Sequence, residues 1–475
     1  MKQTDAQAPR PEEDLTQQTG DSPAGPPAAG GGAGLRLVAL AAGFVMAAVD
    51  ATVVNVAGPP LQHGLRLTLS QLTWVVDGYT LAFAALMLLS GSLADRFGAK
   101  RLYLSGMAVF LLASLACAAA PSGGALVAAR LVQGLGAALS VPTSLTLLTA
   151  SFPDPGRRAR MVALWASVVS GAMALGPIVG GVLISAWGWR SIFLLNLPVG
   201  VAGLVLAARL LPQLPGRVAR PAWGGHTAGA ATLALLCFVL IQGPVLGWGS
   251  PRIVTAAVGF VLAGLGFVRH LSRSSVPVLP ASLFRDATFT SANMIGFLLN
   301  AGAYGGLYLL GLFVQAARGA DALHAGLDLI PATGVFVIGN LSTARLLPRV
   351  GARRLVMAGI ATAGVASLLS SLVTPGMPYA LLAGLVALGN LGIGLAVPAV
   401  MAALVNAAGA ERANPAAATM NATRQVGTLV GVALTAIVLA ASGSHWYTAA
   451  SWYFAIVGVA FLAGLGLAAR FLRPG

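Results

Sequence analysis

The sequence predicts an all-α integral membrane protein with fourteen membrane-spanning helices, and three features carry that prediction. Charged residues make up 9% of the 475 residues and hydrophobic ones 57%, whereas a soluble domain carries about a quarter charged residues. Apolar stretches follow one another from Leu35 almost to the C-terminus, each close to the roughly 20 helical residues that a bilayer core requires. The cations are asymmetric. With both termini cytoplasmic, every Lys and Arg falls in a cytoplasmic tail, loop or adjoining helix end except six. Arg66, Arg190, Arg252 and Arg318 lie outside, and Arg130 and Arg424 lie within spans. This is the positive-inside pattern, which one span more or fewer would break.

The same numbers exclude other classes. A mean hydropathy of +0.84 is incompatible with general disorder, which combines low hydrophobicity with high net charge. The net charge of +15 does not imply a nucleic-acid partner, because the cations are dispersed through an apolar chain and form no basic groove. Cys117 and Cys237 sit alone in apolar runs, so neither a disulfide framework nor a thiolate metal site is expected. Neither Lys2 nor Lys100 lies in a GxxxxGK[ST] phosphate loop, which argues against a primary pump.

Residues 1–34 are polar and rich in Pro, Gly and Ala. They lack the basic start and the cleavage site of a signal peptide, and read as a disordered cytoplasmic tail. The spans then fall at 36–57, 72–93, 102–120, 125–149, 161–186, 191–211, 228–247, 253–271, 289–314, 325–346, 355–374, 379–404, 417–441 and 450–470. Short loops carrying Arg, Pro and Gly separate them, such as Arg96–Arg101, Arg157–Arg160 and Arg349–Arg354. All eight Trp lie near span ends, where interfacial belts place them.

An internal repeat groups the spans. RFGAKRLYLSGMAVFLLASL (96–115) aligns without gaps to RVGARRLVMAGIATAGVASL (349–368), with half of the positions identical. LGAALSVP (135–142) aligns to LGIGLAVP (391–398), including Pro142 and Pro398. Span 3 thus maps onto span 11 and span 4 onto span 12, in the same orientation. The arrangement expected is an N-terminal six-helix bundle (35–212), a linker with two inserted helices (213–275) and a C-terminal six-helix bundle (276–475). Parallel six-helix halves around a midplane site are an alternating-access plan.

The motifs resemble those of the major facilitator superfamily. GSLADRFGAKR (91–101) is similar to its loop motif between spans 2 and 3, LVAARLVQGLGAA (126–138) to its span-4 arginine motif, and GAMALGPIVGG (171–181) to the span-5 motif of its antiporters. VDATVVNVAGP (49–59) and WGWRSIFLLNLPVG (187–200) resemble the fourteen-span drug:proton antiporter family. WVVDGYTLAFA (74–84), ARLVQGLGAAL (129–139) and SIFLLNLPVG (191–200) are similar to its methylenomycin A resistance type. The resemblance covers the chain beyond the tail. It implies the major facilitator fold and a proton-coupled exporter of an antibiotic or other small amphipathic drug in the bacterial plasma membrane. The partners expected are the drug, protons and the lipid bilayer. The chain is expected to be a monomer that uses the proton gradient, with no cofactor, metal or catalytic residue. The other reading is a proton-coupled importer of a metabolite.

Ionisable groups inside a bilayer are costly and therefore mark function. Here they are Asp50, Asp77, Arg130, Asp328 and Arg424. At 1.5 Å per residue, Asp50, Asp77 and Arg130 each lie about 8–11 Å below the outer surface and share one layer. Burial favours the neutral form of a carboxyl and a nearby guanidinium the charged form, so such a layer suits proton exchange. Asp50 is expected to be the main protonation site, with Arg130 tuning it and touching substrate, and Asp77 the second carboxylate. Asn55 and Gln133 on the same motifs are assigned to the cavity. A static Asp–Arg pair is the plainer reading; no charge matches Arg130 in the second copy, where Val386 stands.

In the loop motif, Asp95 begins the turn, Gly91 and Gly98 allow it, and Arg96, Lys100 and Arg101 supply charge. The resemblance implies that Asp95 engages a helix N-terminus of the other half and gates the cycle; Pro348 replaces it in the second copy. Gly171, Gly176, Gly180 and Gly181 make a small-residue face beside Pro177. Such faces are often close-packing surfaces, and the resemblance adds that exporters carry this pattern. In NATRQVGTLVG (421–431), Arg424 and Gln425 match a C-terminal-half motif, although Arg424 at that depth suits snorkelling to the interface. Asn293, Phe297, Asn300, Tyr304 and Tyr308 run along span 9 at near-helical spacing and line either a cavity or a packing face. Four of the five His are expected in loops (His63, His226, His324, His445) and His270 at a cytoplasmic helix end. None is deep enough for an intramembrane hydrolase.

Overall fold

The computed structural model describes residues 32–216, 222–273, 281–409, 412–443 and 445–472. Most of the tail expected at 1–34, and residues 217–221 and 274–280 in and beside the expected linker, lie outside the described residues. Among the described residues every regular element is helical. The long helices are α1 (Ala33–Val56), α2 (Leu69–Phe97), α3 (Ala99–Ala118), α4 (Gly123–Ser151), α5 (Gly156–Trp187), α6 (Ser191–Leu210), α7 (Trp223–Leu246) and α8 (Pro251–Arg273). They continue with α9 (Ala287–Ala316), α10 (Ala322–Val350), α11 (Ala352–Ser370), α12 (Tyr379–Ala408), α13 (Pro415–Ala441) and α14 (Trp446–Phe471). Thirteen are straight enough to count singly as membrane spans; α2 bends by 54° between Met87 and Leu89, and counting it as one span makes fourteen.

Local chemistry sets the boundaries. Asp154, Asp286 and Asp321 cap α5, α9 and α10, accepting from the backbone N–H of Arg157 (2.7 Å), Phe289 (3.0 Å) and His324 (2.8 Å). Hydrogen bonds from His324 hold the exposed Asp321 carboxyl below its ordinary range. At Thr68 a capping box with Gln71 opens α2. Helices reach farther than hydropathy indicates at several ends. His226 is therefore not in a loop but in the first turn of α7, buried, because α7 begins at Trp223. Asp95 likewise does not begin a turn; α2 runs on to Phe97 and ends at Gly98.

The two copies of the repeat fold alike. Gly98 and Gly351, equivalent in the alignment, hold φ of 90° and 82° between α2 and α3 and between α10 and α11, a conformation that favours glycine. Packing then repeats: α3 on α4 and α11 on α12, α2 on α4 and α10 on α12, α1 on α5 and α9 on α13. Gly106 meets Gly136 where α3 crosses α4, and Gly359 meets Gly392 where α11 crosses α12. A Cβ on Gly136 would fall 2.5 Å from the Phe110 nitrogen and 2.8 Å from the Gly106 oxygen. Gly136→Val is accordingly expected to cost about 1–3 kcal/mol, read as a lower thermal midpoint of the detergent-solubilised protein.

The N-terminal helices meet the C-terminal ones along two lines, α2 on α13 and α5 on α10. The inserted helix α7 packs on both α2 and α13, covering the first of these seams, and α8 packs on α7. At one end of the bundle, which carries Arg96, Arg157, Arg345 and Arg354, Lys100 donates to the carbonyls of Ala208 (2.9 Å) and Leu211 (2.8 Å) and closes the end of α6. The halves touch closely toward the opposite, arginine-poor end. Gln315 donates to the Val56 carbonyl at 3.2 Å, Tyr308 and Thr73 hydroxyls lie 3.5 Å apart, and Gly311 lies against Asn55.

Candidate functional site

Two features of the interior bear on transport. The first is a polar network inside the N-terminal half. Arg130 of α4 pairs with Asp50 of α1, and the two are 1% exposed. The Arg130 Nε donates to the Val75 carbonyl of α2 (2.9 Å), and its Nη1 donates also to Gln133 Oε1 (2.6 Å). Gln133, one turn along α4, turns its amide to Asp50 Oδ1 (2.9 Å) and Ser114 Oγ of α3 (2.9 Å). Asn196 of α6 donates to the same two atoms at 3.3 Å each. The Tyr79 ring lies under the guanidinium, 4.4 Å from its carbon, a stabilising arrangement in a dry site.

Side chains of α4 and α6 thus meet the carboxylate on α1, α2 and α3 brace those partners, and both carboxylate oxygens have partners. Breaking such a pair one-sidedly is costly, because the remaining charge is left buried and alone. Of the residues expected from sequence, Asp50, Arg130 and Gln133 are brought together. Ser114 and Asn196 were missed; each is a lone polar residue in an apolar run, and Asn196 stands within the 191–200 motif.

Asp77 is not part of this network. Both its carboxylate oxygens are sealed from solvent, with no hydrogen-bond partner among the described residues. Its electrostatic neighbours are Cys237 of α7 and Tyr308 of α9. The layer expected to hold Asp50 and Asp77 together therefore does not bring them into contact: Asp50 is held by α4 and α6, whereas the neighbours of Asp77 lie on α7 and α9. Asn55 also stands apart, donating to the Ala51 and Thr52 carbonyls of its own helix (3.3 and 3.0 Å) beside Gly311.

The second feature is a cavity between the halves, an empty space of about 550 Å³ that includes its opening. Thr52 of α1 and Met173 of α5 line it from one half; Tyr304, Leu310, Thr333, Phe336 and Asn390 line it from the other. Among the described residues, its lining holds no Asp, Glu, Lys or Arg. Thr52 lies two residues from Asp50 on α1, so one helix carries both the sealed ion pair and part of the cavity wall. The wall is apolar with a few hydroxyl and amide groups, the usual character of a small-molecule site.

The motif glycines divide. Gly176 lies on Thr52 and Gly180 on Val53 and Val56, which brings α5 against α1, while Gly181 lies on Ala322 and Leu323 across the seam; Gly171 faces open space. The Pro177 carbonyl in turn meets Gly326 of α10. In the loop motif, Gly91, Asp95, Arg96 and Arg101 are exposed, and Asp95 makes no ion pair among the described residues. On α13, Arg424 turns inward and donates from Nε to Asn300 Oδ1 of α9 at 2.9 Å, rather than reaching for the helix end. Gln425 is half-buried beside it.

Comparisons with known proteins agree with this architecture. The profile of the Major Facilitator Superfamily matches residues 40–432. The methylenomycin A resistance protein of Streptomyces coelicolor is 48% identical over 437 residues, covering 92% of this chain and 91% of that protein. The methylenomycin A resistance protein of Bacillus subtilis is 47% identical over 426 residues, covering 90% and 91%. The tetracenomycin C resistance and export protein of Streptomyces glaucescens is 32% identical over 441 residues, covering 90% and 80%. Among solved structures, the nucleoside transporter NupG superposes with a TM-score of 0.64 at 12% identity, over 92% of this chain and all of that one, a likeness of fold alone.

Proposed function

The chain belongs to the Major Facilitator Superfamily, and we propose that it exports an antibiotic or other small amphipathic drug in exchange for protons. It is a multi-pass membrane transporter and not an enzyme. The observation that carries the proposal is the placement of Asp50 and Thr52 on α1. One holds the sealed pair with Arg130, and the other faces the cavity between the halves. Loading the cavity from the cytoplasm shifts α1 and loosens the pair; Asp50 then takes a proton from outside, and its release inside resets the cycle. A ligand shifts such an equilibrium only by its differential affinity for the two states, which Thr52 supplies directly.

In this reading the chain spans the membrane fourteen times as a monomer, with both termini cytoplasmic and the arginine-poor end outside. The close cross-half contacts at that end support a state shut toward the outside. Asp95, which makes no ion pair among the described residues, is the group that engages the C-terminal half in the opposite state. Export rather than import is favoured by the glycine face of α5, which seals the seam, and by the names of the relatives.

The test has two arms. Susceptibility of a pump-deleted bacterial host expressing the chain, read across an antibiotic panel, is expected to fall for at least one compound. Proteoliposomes with an imposed pH gradient are then expected to move that compound against the proton flow. Accumulation with the protons would establish an importer and overturn the proposal.

A further inference from the structure

The internal repeat sets one place in the N-terminal half against its counterpart in the other. Ser114 aligns with Ser367, Arg130 with Val386 and Gln133 with Gly389. In the N-terminal half these positions, with Asp50 and Asn196, hold the sealed polar network. In the C-terminal half they border an empty space of about 370 Å³ that includes its opening, enclosed by α9, α11, α12 and α14. The helices of the two halves pack in matching pairs. With valine in place of the arginine and glycine in place of the glutamine, side-chain volume is lost that the neighbours do not fully refill. Protein interiors are otherwise close-packed, and a retained void forfeits dispersion contacts along its lining.

This space adjoins the central cavity. Ala303 and Gly306 of α9 and Val386 and Asn390 of α12 line both, so the two meet between these helices. Its chemistry differs from that of its counterpart, since no Asp, Glu, Lys, Arg or His lines it among the described residues. Most of its polar groups are engaged. Ser370 Oγ donates to the Ala366 carbonyl (2.8 Å), Tyr453 Oη to the Ala301 carbonyl (3.1 Å) and Asn390 Nδ2 to the Val386 carbonyl (3.0 Å). Ser367 Oγ and Asn390 Oδ1 line it and make no hydrogen bond among the described residues. An ion there would be desolvated without a partner, whereas a ring or branched alkyl group would restore the lost contacts. We infer that this space is a side pocket of the transport cavity, that it seats an uncharged ring or branched apolar group of the bound compound, and that Gly389 sets how large that group can be. Ser367 and Asn390 are free to meet one hydroxyl or N–H on it. The inference deepens the export reading and rests on it for the movement of the compound, but not for the pocket itself.

Cysteine labelling of the purified full chain in nanodiscs tests the pocket with probes of graded size. Ser367→Cys, a near-isosteric change, is treated separately with N-methylmaleimide, N-benzylmaleimide and N-(1-naphthyl)maleimide and read by intact mass, against a background in which Cys117 and Cys237 are buried. The methyl reagent is expected to label it fastest and the naphthyl reagent slowest. A Cβ at Gly389 would lie 3.5 Å from the Ala366 Cβ, an ordinary contact, so a side chain can be added there without moving the backbone. Gly389→Leu is expected to slow N-benzylmaleimide at Ser367→Cys by about tenfold or more, within the range of an overpacking penalty. Labelling of Thr52→Cys, in the central cavity, is expected to stay unchanged. Gly389→Ala, the milder variant, is expected to slow the benzyl reagent more than the methyl one. A Ser367→Cys that is inert, or that labels equally well in both glycine variants, overturns the pocket. In the antibiotic panel, Gly389→Leu is expected to lose protection against the bulkiest compound exported and to keep it for the smallest; an unchanged spectrum overturns the role of the pocket in seating cargo. Size-graded labelling in a chain that exports nothing would keep the pocket and sink the export reading.

Discussion

Asp50→Asn is expected to abolish proton-driven efflux, measured as drug movement from proteoliposomes under an imposed pH gradient, while the protein still inserts. Asparagine keeps the shape of the side chain and can still face Gln133 and Asn196, but it cannot take and release a proton. It also strands Arg130, and removing one partner of a buried pair costs about 3–5 kcal/mol. Loss of activity alone would therefore not separate a proton carrier from a structural strut. The double variant Asp50→Asn/Arg130→Met does separate them. Replacing both members of a buried pair with neutral groups is often harmless to stability, so the double variant is expected to recover the thermal midpoint that the single variant loses. A strut predicts that transport returns with the fold. A proton carrier predicts that the fold returns and uphill transport does not. Uphill transport at the original rate by either variant would remove Asp50 from the coupling step.

Much of this was legible in the chain because bilayers impose a simple code. Span length, loop arginines and the repeat at 96–115 and 349–368 predicted helices that the structure places within a few residues, with the bend in α2 the one feature that leaves their number at thirteen or fourteen. Glycine–glycine crossings at Gly106/Gly136 and Gly359/Gly392 explain why the repeat kept those identities. Depth along a helix can be counted from sequence, and the count assigned Asp50, Arg130 and Asp77 to one expected layer. Facing cannot be counted the same way, because it depends on how each helix is rotated in the bundle. That is why Asp77 proved to look toward α7 and α9, why Ser114 and Asn196 went unnoticed, and why Arg424, judged by depth as a snorkelling residue, turned out to reach inward to Asn300.

Gly181→Leu is expected to hold the transporter open at its arginine-poor end and stop net efflux. A Cβ at Gly181 would lie 2.6 Å from the Ala322 oxygen and 3.0 Å from the Leu323 Cα. These are backbone atoms, so no rotamer change relieves the overlap. Gly326 on the Pro177 carbonyl belongs to the same seam, and Gly311 on the Asn55 carbonyl joins the halves beside it, between α9 and α1. The penalty falls on the state in which the halves meet there and is absent when they part. An overpacking cost of about 1–3 kcal/mol shifts the balance between the two states by about 5–150-fold. The shift is read with Thr52→Cys, which places a thiol on the cavity wall; Cys117 and Cys237 are buried and leave the background silent. Labelling of whole cells by a membrane-impermeant maleimide is expected to rise sharply with Gly181→Leu and to stay unchanged with Gly171→Leu, since Gly171 faces open space. Equal labelling and undiminished efflux in Gly181→Leu would mean that the halves part elsewhere, and that the glycine face of α5 is packing and not a gate.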